Sequence, residues 1–409
     1  MNLIALKSPS YRRYLIGSAA AVNGLWILRV VVTWLAWEVA QSATFVGLIA
    51  ALTMLPTMII GPFFGALMDR SNIIKAAYST NFGMIIATFV AIIALLFNAV
   101  NPIFLIILAI YIGIITSAHH PMRLSLGPRL VHQNQISSVS ALAALNYNTA
   151  RVISPFIAGT IIEYFGAMSA LITAIILYLP NLVIYATLEP RKLKASTEYQ
   201  SIVAAIKEGM SFVWSRKYLR LIFLVSAVYT ISIRSIAEIL PVIADGTFSK
   251  GAGGLGHLAA AVGVGSLCAA FLKAMGTSER VPAFNISIMI IAAFGMIAAW
   301  ILTITQFWPI ALISATCVGF SATHLGVSFQ AEIQADLYDN IRGRVMSLWG
   351  MVTLGSMSVG SLLLGWMADT VGVFIAGSSL VICSLIFLLY IFIKSCLLYT
   401  SDAADDPAS

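Results

Sequence analysis

Residues 61–75 read "GPFFGALMDRSNIIK". An apolar run meets Gly-x-x-x-Asp-Arg, and Lys75 follows five residues after Arg70, where a second apolar run begins. An acid and two bases at such a junction mark a chain that leaves one oily helix, touches water and enters the next. Gly61, Pro62 and Gly65 let the end of the first helix bend and pack closely against a neighbour. The stretch reads as a short polar loop between two membrane spans.

The rest of the chain agrees. Of 409 residues 60% are hydrophobic and 10% charged, and the mean hydropathy is +0.96. Soluble domains carry about 25% charge. Too few polar residues remain to cover a water-facing surface, so lipid must be the solvent. At roughly 20 apolar residues per crossing, twelve spans are expected, over 11–38, 44–67, 73–97, 102–121, 137–163, 167–188, 216–243, 254–275, 281–304, 308–333, 344–368 and 372–394. The runs are continuous and do not alternate, which favours helices over barrel strands. The start, "MNLIALKSPSYRRY", places its bases after the first apolar residues and leads into a full span, unlike a cleavable signal.

The formal net charge of +7 raises the question of nucleic acid. The distribution of the bases answers it. Nineteen of them, from Lys7 to Lys394, fall on one side of the twelve-span arrangement; Lys250 alone falls in a loop on the other, and Arg29, Arg151 and Arg234 lie inside spans. That asymmetry is the positive-inside pattern. It predicts a multi-pass protein of the inner (plasma) membrane with both termini cytoplasmic, and it excludes a nucleic-acid partner.

The one long polar connection, about 189–215, divides the spans six and six, and its second part has the apolar spacing of an amphipathic surface helix. The expected units are an N-terminal bundle over 1–188, this linker, a C-terminal bundle over 216–394 and a polar tail over 395–409. The bundles resemble each other. Tyr11 and Arg13 are matched by Tyr218 and Arg220, each 207 positions on. "GTIIEYFG" at 159–166 is matched by "GWMADTVG" at 365–372, with Gly159/Gly365, Glu163/Asp369 and Gly166/Gly372 each 206 apart. A parallel duplication of six helices accounts for both and places a binding site at the midplane between the halves. In these two later copies of Gly-x-x-x-acid the simplest reading is a helix terminus.

With these features the chain resembles the major facilitator superfamily. Gly65, Asp69, Arg70 and Lys75 carry the loop signature, with Asn72 where a Gly is usual and Ile73 and Ile74 where bases are usual. A closer resemblance is to the branch of the enterobactin exporter and macrolide-efflux-like proteins. It rests on "WILRVVVTWLAWEVAQSATFVGL" at 26–48, "NTARVISPFIAG" at 148–159 and "QADLYDNIRGRVMSL" at 334–348. The resemblance implies an all-α membrane protein of twelve transmembrane helices in two pseudo-symmetric six-helix bundles. It also implies that Asp69 sits against the cytoplasmic start of span 11, near Arg342 and Arg344, where a carboxylate meets the positive end of a helix dipole. Such a contact exists only while that side is shut, so it would act as a conformational latch. On span 5, Ala141, Ala150, Ser154, Pro155, Ala158 and Gly159 follow the spacing of a glycine-rich exporter motif, with every glycine but the last replaced by Ala or Ser. The small face needed for close packing is kept.

Charges inside a bilayer cost at least about 2.5–3.5 kcal/mol each on insertion scales. At about 1.5 Å per residue, Arg29 and Arg234 lie roughly 20–25 Å in from the basic side, on equivalent spans 1 and 7. Glu238 follows Arg234 by four residues and is its expected partner on one helix face. Glu38, Arg151 and Glu332 complete the candidates. Two readings stand open: static ion pairs that lock helices, or cavity groups that bind substrate or a proton.

Other features carry less. Cys268, Cys317 and Cys383 lie in apolar spans and Cys396 follows the last, with no metal-ligand spacing. "GAGGLG" at 251–256 follows no strand and opens a span, so helix packing explains it better than a dinucleotide. His119 and His120 read as a solvated end of span 4, or as a proton relay. Trp26, Trp34, Trp37 and Tyr229 read as lipid-facing or packing groups, or as cavity walls. There is no Walker motif. The expectation is a monomeric, cofactor-free, proton-coupled exporter of a small amphipathic molecule, drug- or siderophore-like. An uptake symporter is the alternative; an enzyme would need a convergent reactive cluster, which the sequence does not offer.

Overall fold

The computed structural model describes residues 4–70, 72–191, 202–275, 286–335 and 337–404, without the side chains of 65–66, 68–70, 202–203, 205, 274, 339–340 and 392–404. In that range the chain is helical. Helix α1 spans Pro9–Ala40, α2 Ala43–Arg70, α3 Ile73–Leu96, α4 Pro102–Arg129, α5 Ile136–Ala186, α6 Ile202–Ser215, α7 Lys217–Tyr229, α8 Gly251–Met275, α9 Ile286–Ile304, α10 Trp308–Ala335, α11 Asp339–Val371 and α12 Val373–Ala404. Among the described residues eleven apolar helical stretches are long enough to cross a membrane, and one of them, Gln133–Ala186, is 54 residues long. It is two spans joined at Gly166, where the backbone turns out of the helix (φ 81, ψ 164). The twelve expected crossings are therefore present, in two six-helix bundles on either side of α6.

Local chemistry sets the ends. Ser8 accepts from the Tyr11 N–H and caps α1, and Asn101 accepts from the Phe104 N–H and caps α4. Asn72 Oδ1 accepts from the backbone N–H groups of Ile74 and Lys75. The Asn that replaces the usual Gly in the opening loop is thus the N-cap of α3. Gly372 (φ 87, ψ 153) ends α11 with the same extended, positive-φ bend that Gly166 makes 206 positions earlier.

Two elements differ from the sequence reading. Span 4 does not stop at residue 121 but runs to Arg129. Met122, Leu126 and Leu130 are buried there against Tyr11, Tyr14 and Tyr185. That burial outweighs the backbone bond lost at Pro121. His119 is accordingly buried inside the helix, not at a solvated end. Span 7 is not one regular helix. After Tyr229 it becomes a π-helix over Thr230–Arg234, a 3₁₀ segment over Ser235–Ile239 and a second π-helix over Val242–Thr247. Ser232 and Ser235 turn their hydroxyls back onto the carbonyls of Val228 and Ile231, and Pro241 supplies no N–H, so the ordinary ladder is interrupted.

The outer surface is apolar, with Phe97 77% and Val183 71% exposed, as lipid solvation requires. Small residues bring the halves together. A Cβ at Gly47 or Gly365 would run into the backbone carbonyls of Ser361 or Ala43, so α2 and α11 touch backbone to backbone. Gly159 meets Ala252 and Gly256 in the same way between α5 and α8, and Gly263 lies against Val152. The "GAGGLG" stretch is thus the packing edge of α8.

Candidate functional site

Three arginines and one carboxylate lie within the spans, and two of the arginines reach across from one bundle to the other. Arg29 of α1 donates a 3.1 Å hydrogen bond from Nη2 to Glu238 Oε2 across the interface, and both side chains are largely buried. The expected Arg234–Glu238 pair is therefore not formed. The cause is the irregular span 7. Arg234 ends the π segment and Glu238 lies in the 3₁₀ segment, where four residues at three per turn rotate a side chain about 120° off its starting face. Arg151 of α5 donates from Nη2 to Thr323 Oγ1 of α10, 3.2 Å away. Arg151 thus reaches α10, and the Thr230–Arg234 segment of span 7 packs against the same helix. Among the described residues the Arg234 side chain has no hydrogen bond, ion pair or ring contact.

An aromatic ladder leads to this group. The Arg123 guanidinium carbon lies 4.8 Å from the Tyr147 ring centroid. Tyr147 meets Trp26 edge to face at 5.8 Å, and Arg29 stacks 5.1 Å from the Trp26 centroid. Cations over ring faces are attracted by the ring quadrupole. Polar contacts run alongside: Ser154 donates 2.7 Å to Asn23 Oδ1, and Asn146 donates 3.4 Å to Ser18 Oγ. Ser154 thus joins α5 to α1, while Ala150, Pro155 and Ala158 are buried in the same bundle.

Beyond this layer, away from the termini, further polar contacts join the halves. Trp37 Nε1 donates 2.9 Å to Asp245 Oδ2. Asp369 accepts from the Ser42 hydroxyl at 2.6 Å and from the backbone N–H groups of Ala43 and Thr44, each at 2.8 Å. It therefore caps α2 from the end of α11. Its counterpart Glu163 abuts Gly253 in the first turn of α8, where a Cβ would strike its carboxylate. Each Gly-x-x-x-acid copy that read as a plain helix terminus reaches the N-terminus of a helix in the other bundle. The signal was the 206-residue repeat itself. The described hydrogen bonds between the bundles lie at mid-depth or on the face opposite the termini, so the protein is closed on that face.

The remaining candidates are dispersed. Glu38 is exposed and lines a recess of about 460 Å³ on the closed face, with Trp34, Glu163 and Ala252. Glu332 is buried near the terminus-bearing end of α10 and accepts 2.7 Å from Tyr218. Arg344 pairs with Glu208 of α6, and Arg342 donates 3.1 Å to the Leu337 carbonyl. Lys75 is exposed beside the α3 cap. The side chains of Gly65, Asp69 and Arg70 lie outside the described residues. Among the described residues no three His, Cys, Asp or Glu side chains gather as a metal site would need.

Comparison with known proteins agrees with this architecture. The model of the transmembrane secretion effector family matches residues 2–409. The chain is similar to macrolide efflux protein A of Streptococcus pyogenes, 24% identical over 390 residues that cover 90% of this chain and 92% of that one. It is similar to the staphyloferrin A transporter of Staphylococcus aureus, 22% identical over 359 residues covering 86% and 87%. Its fold matches a bacterial homolog of the human lysosomal transporter Spinster, in an inward-facing and unoccupied conformation, at a TM-score of 0.73 and 13% identity over 93% of this chain and 95% of that one.

Proposed function

The chain belongs to the transmembrane secretion effector family of the major facilitator superfamily, and from that premise we propose that it exports a small amphipathic molecule, drug- or siderophore-like, in exchange for protons. It is a multi-pass membrane transporter and not an enzyme. The observation that carries the finer reading is the Arg29–Glu238 ion pair. It joins the two bundles at the depth where a substrate would sit, through a carboxylate that can take up a proton. Protonation of Glu238 would release Arg29 and with it one tie between the halves. Alternating access then follows from rocking of the two bundles, about 1–188 and 216–394, about this layer.

The closed face carries the Asp369 and Glu163 contacts, and we read the state as the one open toward the termini. We place the termini in the cytoplasm of a cell with this protein in its inner membrane, on the strength of the positive-inside pattern. In the opposite state Asp69, with Gly65, Arg70 and Lys75, would latch against Arg342 and Arg344. Arg344 would leave Glu208 to take part. The unit of transport is the monomer, since the site lies within one chain.

Purified protein in liposomes tests the reading with a macrolide and with staphyloferrin A as substrates. An inside-acid gradient should drive accumulation of at least one of them, and a protonophore should abolish it. Accumulation only under an outside-acid gradient would make the protein a symporter. Accumulation indifferent to pH would remove the proton.

A further inference from the structure

The charges at the centre do not balance. Three guanidiniums, those of Arg29, Arg151 and Arg234, lie within the spans, and among the described residues a single carboxylate, Glu238, answers one of them. The acids nearest along the chain are spent elsewhere, Asp245 on Trp37 and the Gly251 N–H, and Glu332 on Tyr218 at the far end of α10. Each uncompensated arginine in a bilayer is costly, and two cations brought to one helix, α10, repel one another. An arginine cannot shed its proton to escape that cost. Its planar fork of donors matches the two oxygens of an oxyanion.

We propose that Arg151 and Arg234 form the binding site for the anionic group of the transported molecule, a carboxylate or similar oxyanion held between the two bundles with the aromatic part of the same molecule against Trp26 and Tyr147. The inference rests on the transport reading and deepens it. The π-helical turn that ends at Arg234 serves the site. It turns Arg234 away from Glu238, keeping that guanidinium available, and such turns recur at functional positions. Tyr147 precedes Arg151 by one helical turn on α5, so ring and cation share a face. Because Arg151 comes from one bundle and Arg234 from the other, a bound anion ties the halves together, while an empty site leaves them repelling.

Binding is measured on the full chain in detergent with two probes of the same shape and opposite charge, naphthalene-2-carboxylate and 2-naphthylmethylamine. Equilibrium dialysis of labelled probe should show saturable binding of the carboxylate, tighter than the amine by about tenfold or more, as charge-assisted pairing implies. Arg234→Gln and Arg151→Gln should each weaken it about tenfold, and Arg234→Lys, which keeps the charge but loses the fork, should fall between. The probe comparison on the unaltered protein stands even where a variant does not fold. Equal binding of both probes, preference for the amine, absence of saturable binding of either, or carboxylate binding unchanged by both Gln variants would overturn the proposal. Carboxylate binding without movement of any carboxylate across liposomes would sink transport and leave the anion site. A pH-driven flux of a macrolide that the carboxylate neither binds against nor inhibits would do the reverse.

Discussion

Asp369, at the end of α11, accepts a 2.8 Å hydrogen bond from the backbone N–H of Ala43, the first residue of α2. An acid from one bundle thus caps the first turn of a helix in the other. Capping of this type contributes about 0.5–2 kcal/mol, and here it exists only while this face is shut.

Asp369→Asn should therefore loosen closure on the face opposite the termini without unfolding the protein. The neutral amide keeps an acceptor but loses the charge that favours a helix N-terminus. A single cysteine at Ser361, buried where α11 meets α2, reports the change. Its labelling by a membrane-impermeant maleimide applied from that face should rise severalfold over the Asp369 background. Equal labelling in both would show that the cap does not hold the gate.

At the second interface between the bundles Glu163 reaches the first turn of α8 without a described hydrogen bond, so this contact depends on close approach. At Gly159 a Cβ would come 2.6 Å from the Gly256 Cα, so Gly159→Ala forces α5 and α8 apart. Overpacking of this sort costs about 1–3 kcal/mol. The expected outcome is a lower melting temperature together with raised labelling on the closed face. A variant as stable and as closed as the unaltered protein would mean that the α5–α8 contact has slack.

Much of this was legible in the sequence, and the reason is specific. Span positions follow from apolar length, and the halves follow from pairs such as Glu163/Asp369 and Gly166/Gly372 at one spacing. The partner of Glu238 was not legible. A rule that places i and i+4 on one face holds for an α-helix, and span 7 departs from it between Thr230 and Thr247. Ser232, Ser235 and Pro241 are the local causes, yet serines occur in many regular membrane helices, and only their bonds to Val228 and Ile231 reveal the distortion. His119 escaped for a related reason: an apparent helix end is set by what buries the next turns, here Met122 and Leu126.

The Arg29–Glu238 pair separates a proton carrier from a strut. Neutralising one member leaves the other charged and without its ion-pair partner, which destabilises more than removing both. Glu238→Gln should lower the melting temperature, and Arg29→Gln combined with it should recover most of the loss. Transport should not recover. The double variant is expected to exchange substrate down its gradient yet fail to accumulate it when a pH gradient is imposed. Restored accumulation would reduce the pair to a strut between α1 and span 7.

Gly166 and Gly372 provide a test of the duplication at the level of the backbone. Both hold positive φ, 81° and 87°, and a Cβ at either would touch nothing within 4 Å. Any effect of Ala there therefore comes from backbone strain and not from collision. At ψ 164 and 153 these positions lie in a region essentially confined to glycine, where an L-residue loses about 1–3 kcal/mol. Gly166→Ala and Gly372→Ala should each lower stability by about that amount, measured as a shift in thermal unfolding of the detergent-solubilised chain. Because the sites lie in different bundles and share no partner, the double variant should show the sum of the two losses within about 0.5 kcal/mol. D-alanine, introduced at either position by chemical ligation, prefers positive φ and should be tolerated. If L-alanine is tolerated as well as D-alanine, the two bends are not the fixed corners that set spans 5 and 6, or 11 and 12, against each other.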